Sequence, residues 1–510
     1  MDIQLQAILE PDENICAAEE LYFHRTGQEI CYDGYFNLFY IEKWKRYTNL
    51  AQLQLSVNIQ GYEMLRLYHN RNCVREITLN ADSLTQYRLD FPWEHYDKGV
   101  FWFSLVKKKN TFKCCLSGFY TGICGNVHAV AIGIDICTYR REDYIVHNLT
   151  LLCEKVLRND KLQVSEALWV YIVDNGKTLS RSEQLESLLE PCKNRISIIQ
   201  NENVGGAGGF TRGMLEVLNE KERKGFTHVL LMDDDALLNP DLFVRIYGFL
   251  RIVKDEWKDI TLGGTMLRED MPYMLYASGE YWDKGRIVNE NLNLDLRNYS
   301  SACCRSLLTT RFEKEYYSGW WCCCYSLRVV RDDNLPIPLF IHHDDIEFGL
   351  RNKNCGIVFL NGVNVWHKNL LEILPGPNLY YDIRNNLIEM TQRYGPKDAS
   401  KYIWSFYWKR LAFRLVRNKQ DEVFWFVRGA SDFLKGPGWL WRQNPEQLHR
   451  KINQPDHRNI VRCWYDSMKI CIKLLAVRKK AVIDYQKNLY RYTTKQAWSK
   501  YLGLQGKGKS

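Results

Sequence analysis

Asp233, Asp234 and Asp235 stand side by side directly after the apolar run His228-Val-Leu-Leu-Met232. Adjacent like charges are costly unless a cation neutralises them. Carboxylate oxygens suit a hard divalent ion, Mg2+ or Mn2+, of the kind that also binds a substrate diphosphate. On an extended chain side chains alternate, which directs Asp233 and Asp235 to one face and Asp234 to the other. The competing reading is a solvated acidic turn. A second pair, Asp344-Asp345, lies in His342-His-Asp-Asp-Ile-Glu-Phe-Gly-Leu-Arg351. A buried carboxylate with a like-charged neighbour has its pKa drawn towards neutrality, as a general base requires. Equally, acidic residues are favoured at the start of a helix. Two weaker signals follow. His367 in Val365-Trp-His-Lys368 is a ligand or, as lone histidines more often are, structural. The pair Trp320-Trp321 in Tyr316-Tyr-Ser-Gly-Trp-Trp-Cys322 is core, or a face on which a sugar ring stacks.

The elements that must hold these residues are legible around them. Ala129–Ile136, Leu168–Asp174, Ile196–Ile199 and His228–Met232 are apolar runs alternating with helical segments, the pattern of a doubly wound parallel sheet. Thr138, Asp174, Asn201 and Asp233 fall at their C-terminal ends, where such sheets bind ligands. Asn203-Val-Gly-Gly-Ala-Gly-Gly-Phe-Thr-Arg-Gly213 is expected to let backbone N–H groups approach a ligand and to lead into a helix. It has neither the G-x-G-x-x-G spacing of a dinucleotide site nor the Gly-Lys-Ser/Thr of a P-loop.

A chain of 510 residues is long enough for about three domains. Residues 1–126 read as a β-rich sandwich or barrel: Leu53, Leu55, Val57 and Ile59 alternate with polar residues, and Val74–Leu79 and Val100–Val106 repeat the theme. Residues 127–395 hold the α/β pattern and the carboxylates. Residues 396–510 are helical and basic, with Trp404, Trp408, Leu411 and Leu415 at helical spacing. This last segment carries 25 Lys/Arg against 8 Asp/Glu, whereas the whole chain is only +9. That split describes an acidic body with an appended basic, aromatic tail, and excludes a chain that coats nucleic acid. Aromatic residues among Lys/Arg suit an anionic membrane surface, and equally a packed helical domain with a solvated basic face. The 17 cysteines fall in runs and singles without zinc spacing, and residues 1–20 are acidic, unlike a signal peptide. Both point to a cytoplasmic protein with reduced thiols, with possible attachment to the inner face of the membrane. The uncharged stretch Cys114–Ile134 is broken by glycines and reads as strands, not as a transmembrane helix.

Taken in order, Thr138-Tyr-x-Arg-Glu-Asp143, Asp174-Asn-Gly176, Asn203-x-Gly-Gly-x-Gly-Gly-Phe210, Met232-Asp-Asp-Asp235, Gly319-Trp-Trp321, Asp344-Asp345 and Trp366-His367 resemble the galactofuranosyltransferases that build galactan. These are GT-A fold enzymes of glycosyltransferase family 2. Asp33-Gly-Tyr-Phe-Asn37 with Trp44-Lys-Arg-Tyr47 is similar to that family's N-terminal β domain, and the basic end to its C-terminal domain. The resemblance implies a metal held by Asp233, Asp235 and His367. It places Thr138, Arg141, Asp174, Asn175, Asn203, Asp233 and Asp234 on the nucleotide-sugar side, and makes Asp345 the catalytic base. Trp320, Trp321, Glu280 and Asp344 would line the acceptor site. The implied reaction is inverting transfer, most simply from UDP-galactofuranose, to a hydroxyl of a glycan or lipid-linked acceptor, with Mn2+ or Mg2+. The alternatives are a family-2 transferase with another donor, such as dTDP-rhamnose, and a non-catalytic carbohydrate-binding protein on the same fold.

Overall fold

The computed structural model describes residues 2–109, 111, 113–179, 183–309, 314–368, 376–417, 419–454 and 460–504; the Gly/Lys-rich end, expected to fray, lies outside them. The chain opens with two antiparallel sheets. One pairs Asp2–Ala7, Cys115–Ile123, Gln52–Gln60 and Thr85–Asp90 in that order. The other runs His24–Thr26, Glu29–Cys31, Val100–Lys107, Tyr62–His69 and Asn72–Thr78, with Phe39–Tyr40 beside Val100–Lys107. Leu53, Leu55, Val57 and Ile59 are fully buried and the polar residues between them half-buried, so the two-residue period is realised. Tyr120 on the first sheet meets Phe103 on the second at 6.4 Å, joining the sheets face to face. Cys115–Ile123 and Ile132–Thr138 are strands, as expected for this uncharged stretch.

The central sheet has ten strands among the described residues. We label β1 (Ile132–Thr138), β2 (Leu168–Asp174), β3 (Ile196–Gln200), β4 (His228–Asp233), β5 (Thr261–Arg268), β6 (Cys322–Ser326) and β7 (Ile357–His367). The helices used below are α1 (Glu142–Leu152), α2 (Gly205–Lys224), α3 (Asp241–Ile252), α4 (Asp344–Arg351), α5 (Pro377–Arg393), α6 (Pro396–Val416), α7 (Gln420–Phe433) and α8 (Ile460–Asn488). Strand order is β3-β2-β1-β4-β6-β5, with β7 beside β5. The first four strands are parallel, β6 is antiparallel to both neighbours, and β7 is parallel to β5. The sheet is therefore parallel in its nucleotide-type half and mixed beyond it. That reversal brings β7, remote in sequence, across to the carboxylate end of β4.

The β sandwich docks through a buried polar knot. Arg245 on α3 pairs with Asp241 at 2.5 Å and donates to the carbonyls of Asn361 at 2.8 Å and Phe36 at 2.6 Å. Asp241 also accepts from the Ala7 amide at 2.9 Å. A buried guanidinium is tolerated only when it is paired and its N–H groups are met, as here.

The basic helical end is not an appendage. Leu411, Phe426 and Tyr485 share one hydrophobic core with Tyr317, Ile337, Leu339, Ile346 and Leu350 of the α/β region. Trp498 is completely buried with Phe210, Trp320 and Phe348, and its indole N–H donates to the Pro336 carbonyl at 2.8 Å. Of the two readings of the basic end, these contacts fit the packed helical domain: charge counts report the solvent face of a helix, while its apolar face finds whatever surface is nearest in space. Among the described residues no helix is long and apolar enough to cross a membrane.

Candidate active site

The C-terminal ends of β1, β2 and β4 lie side by side, with Thr138 opposite Asp174 and Cys137 opposite Asp233. β4 ends at Asp233 and the chain turns through Asp234 and Asp235. Ligand atoms of Asp233, Asp235 and His367 lie within 4.8 Å of one another. His367 is the last residue of β7, whose pairing with Arg268 and with Leu237–Leu238 carries it there. Its Nδ1 lies 2.9 Å from the Lys368 carbonyl, which retains the proton on that nitrogen. Nε2 lies 3.1 Å from Asp235 Oδ1 and faces the carboxylates. One imidazole and two carboxylates so arranged fit Mn2+ or Mg2+ by donor chemistry. Asp234 is outside this cluster and accepts from the Tyr139 amide at 3.3 Å. Arg141, at the head of α1, pairs with Asp235 and lies 3.9 Å from Asp234. Burial raises Asp233 to about 6, with His367 and Arg141 opposing and Asp234 adding to the shift.

Across a cavity of about 590 Å³ from Asp233 stands the start of α4. Asp344 and Asp345 occupy its first turn, so both expectations for this pair, helix start and paired buried carboxylates, are realised together. His342 and His343 have left-handed backbone, φ 62° and 68°, which turns the chain sharply into the helix. Asp345 Oδ1 accepts from the Ile346 amide at 2.7 Å. Burial, then the like charge of Asp344, hold Asp345 well above the usual carboxylate range. Burial puts Asp344 at about 6. Glu280 faces the same cavity from the hairpin Glu280–Asp283/Arg286–Asn289, opposite Tyr317, and burial puts it at about 7.

The aromatic pair divides its work. Trp320 is buried, edge-on to Phe210 at 5.4 Å and with its N–H 3.3 Å from the Tyr325 hydroxyl. Trp321 is only partly buried, anchored by Nε1 to the Gly264 carbonyl at 3.0 Å. Both reach the cavity.

The nucleotide-side candidates do not all present free groups. Asp174 is fully buried and its two oxygens accept from the Gly176 and Leu179 amides at 3.0 and 2.9 Å. Asn175 is held between the Gly205 carbonyl at 3.1 Å and Asn201 at 2.9 Å. Asn203 accepts from the Gly205 amide at 3.2 Å and opens α2. These three shape the β2 and α2 ends; Thr138 is buried beside Asp234. The glycines lead into a helix, as expected. They form the first turns of α2, where a Cβ on Gly209 would lie 2.1 Å from Cys137 Sγ and one on Gly213 1.9 Å from Asp135. At these two positions the missing side chain allows close packing of helix on strand, whereas Gly206 at the head of α2 lines the cavity.

Sequence reading missed Asp382 on α5, which also faces the cavity. His343 and Arg410 more than offset its burial and hold it below its ordinary value. The available signal was the polar run Asp382, Arg384, Asn385, Asn386 inside an apolar helical stretch; Arg384, Asn385 and Asn386 are buried. Asn385 donates to the Ile341 and His342 carbonyls at 3.0 and 2.7 Å, and Arg384 to Leu339 at 2.5 Å, fixing the loop before α4.

Residues 17–121 match the family model "Galactofuranosyltransferase 2 N-terminal", and residues 131–369 match "Glycosyltransferase like family 2". Galactofuranosyltransferase GlfT2 of Mycolicibacterium smegmatis is 26% identical over 434 residues, 80% of this chain and 64% of that protein. The enzyme of the same name from Mycobacterium tuberculosis is 26% identical over 457 residues, 84% of this chain and 69% of that protein. The chain thus spans about two thirds of the length of these relatives. A solved structure of S. aureus TarS 1–349 with UDP aligns at a TM-score of 0.36 and 13% identity, over 69% of this chain and 92% of that one. With the sheet order, the carboxylate-ended strand and the two family matches in place, the chain is a glycosyltransferase whose residues 131–369 form an α/β domain similar to glycosyltransferase family 2 and whose residues 17–121 are similar to the N-terminal domain of galactofuranosyltransferase 2.

Proposed function

We propose that this enzyme is an inverting, metal-dependent transferase that moves galactofuranose from UDP-galactofuranose to a glycan or lipid-linked hydroxyl. The observation that carries the reading is that Asp233, a member of the Asp/Asp/His cluster, and Asp345 face one cavity. The match of residues 17–121 and the relatives' names support the donor. Asp233, Asp235 and His367 would hold Mn2+ or Mg2+, which when bound offsets charge on the departing diphosphate. Trp321 and Glu280 orient the acceptor. Asp345, with Oδ1 held by the Ile346 amide, takes the acceptor hydroxyl proton on Oδ2. The acceptor oxygen bonds to the anomeric carbon as the bond from that carbon to the diphosphate oxygen breaks on the opposite face. No covalent enzyme intermediate forms.

The lipid-linked acceptor is supported by α8. Val461, Tyr465, Met468, Ile472 and Leu475 are exposed at helical spacing, flanked by exposed Lys469, Lys473, Lys479 and Lys480, a stripe suited to an anionic leaflet. The test of the function is release of UDP from UDP-galactofuranose with Mn2+ and a galactose-containing acceptor, against a panel that includes dTDP-rhamnose. Asp345→Asn should lower turnover by about 10²–10⁴-fold. Full turnover by that variant, or an unaffected rate in excess EDTA, sinks the mechanism.

A further inference from the structure

Arg410 lies on α6, outside the matched transferase region, yet reaches both acceptor-side walls. Its Nη2 donates at 2.9 Å to the carbonyl of Gly285, the turn of the hairpin that carries Glu280. Its Nη1 lies 3.3 Å from Asp382 Oδ2. Asp382 Oδ1 in turn lies 3.5 Å from His343 Nε2 and accepts from Asn386 at 3.0 Å. His343 is the left-handed residue immediately before Asp344 and Asp345. The guanidinium sits 4.4 Å above the Phe406 ring, and a Cβ on Gly285, whose φ is 85°, would lie 2.3 Å from that ring. One rigid planar fork thus ties two segments 125 residues from it and 28 residues from it in sequence.

We propose that Arg410 is a positioning residue for acceptor attack: through Gly285 it sets the Glu280 hairpin, and through Asp382 and His343 it sets the turn that aims Asp345. The inference rests on Asp345 being the base and Glu280 an acceptor contact. It leaves the donor side alone, because Asp233, Asp235 and His367 hang from β4 and β7 and are not in the Arg410–Asp382–His343 chain of contacts.

The experiment compares Arg410→Gln, Asp382→Asn and the double variant in the full-length enzyme. Acceptor-dependent kcat/KM is measured with UDP-galactofuranose, or with whichever donor the panel identifies, beside calorimetric affinity for Mn2+ and UDP. The expected result is a loss of about ten- to a hundredfold in acceptor kcat/KM, with Mn2+–UDP affinity within about twofold of the parent. The double variant should lose no more than the worse single one, since both cut one chain of contacts. Three results overturn the proposal: unchanged acceptor kcat/KM in a folded Arg410→Gln, an equal fall in Mn2+–UDP affinity, or additive losses in the double variant. Should Arg410→Gln fail to fold, Arg410→Lys carries the same comparison, because it keeps charge beside Asp382 but cannot also reach Gly285. A parent enzyme that transfers from no donor refutes the proposed function, whereas an active parent with an indifferent Arg410 refutes only this inference.

Discussion

Trp498→Ala tests whether the C-terminal segment belongs to the catalytic core. Trp498 is completely buried, and its side chain lies against Gly208 of α2, where an added Cβ would sit 3.7 Å away. It packs edge-on to Trp441 and Tyr501, each at 5.3 Å, in the cluster that also contains Trp320 and Phe348. Truncating a buried tryptophan to alanine costs about 3–5 kcal/mol. Losing the bond to the Pro336 carbonyl, which is 2.8 Å long, adds about 1 kcal/mol. The sum, about 4–6 kcal/mol, is a large share of the ~5–15 kcal/mol that holds a domain together. Trp498→Phe keeps most of the ring and should cost about 1–2 kcal/mol. Urea unfolding followed by far-ultraviolet circular dichroism and by UDP release reads the effect. At a slope of ~3 kcal/mol/M, the alanine variant should shift the midpoint down by about 1.3–2 M in both signals. If the main transition stays in place, the segment is a detachable tail and the argument from burial is wrong.

Three further outcomes follow from the site. On the proposed mechanism Asp345 takes a proton only when deprotonated, so kcat/KM falls as pH drops through its raised pKa; Asp344→Asn removes the like charge that, after burial, helps raise it. The acid limb should therefore move to lower pH, and an unmoved or rising limb contradicts the pairing. His367→Ala removes one of three clustered ligand groups and should weaken Mn2+ binding, read by electron paramagnetic resonance, by at least about 10–100-fold. Equal Mn2+ affinity would remove His367 from the site. Ile472→Asp and Lys473→Glu on α8 should lower flotation with anionic liposomes while leaving UDP release in solution unchanged. Flotation indifferent to both changes and to salt rejects the membrane surface.

What the sequence determined by itself is whatever short-range order encodes. The two-residue alternation of Leu53 to Ile59, the apolar runs of β1 to β4 and the carboxylates at the end of β4 each need only a few neighbours to be recognised. The grouping of Asp235 with Asp233 and His367 does not follow from strand alternation, because the chain turns after Asp233. The order of motifs along the chain was enough for the family. Only the tertiary structure decided which distant residues meet. His367 reaches Asp235 across 132 residues because β7 crosses the sheet beside β5. Asp382 and Arg410 reach the catalytic turn because α5 and α6 pack on it, and no local period marks either residue. Composition could not say which glycines of α2 face the site and which serve packing: Gly206 lines the cavity, whereas Gly209 and Gly213 pack on β1. The basic end resembled a tail for a related reason. Charge is set by the face a helix shows to water, whereas domain membership is set by the apolar face it hides, and Trp498 is hidden against the catalytic core.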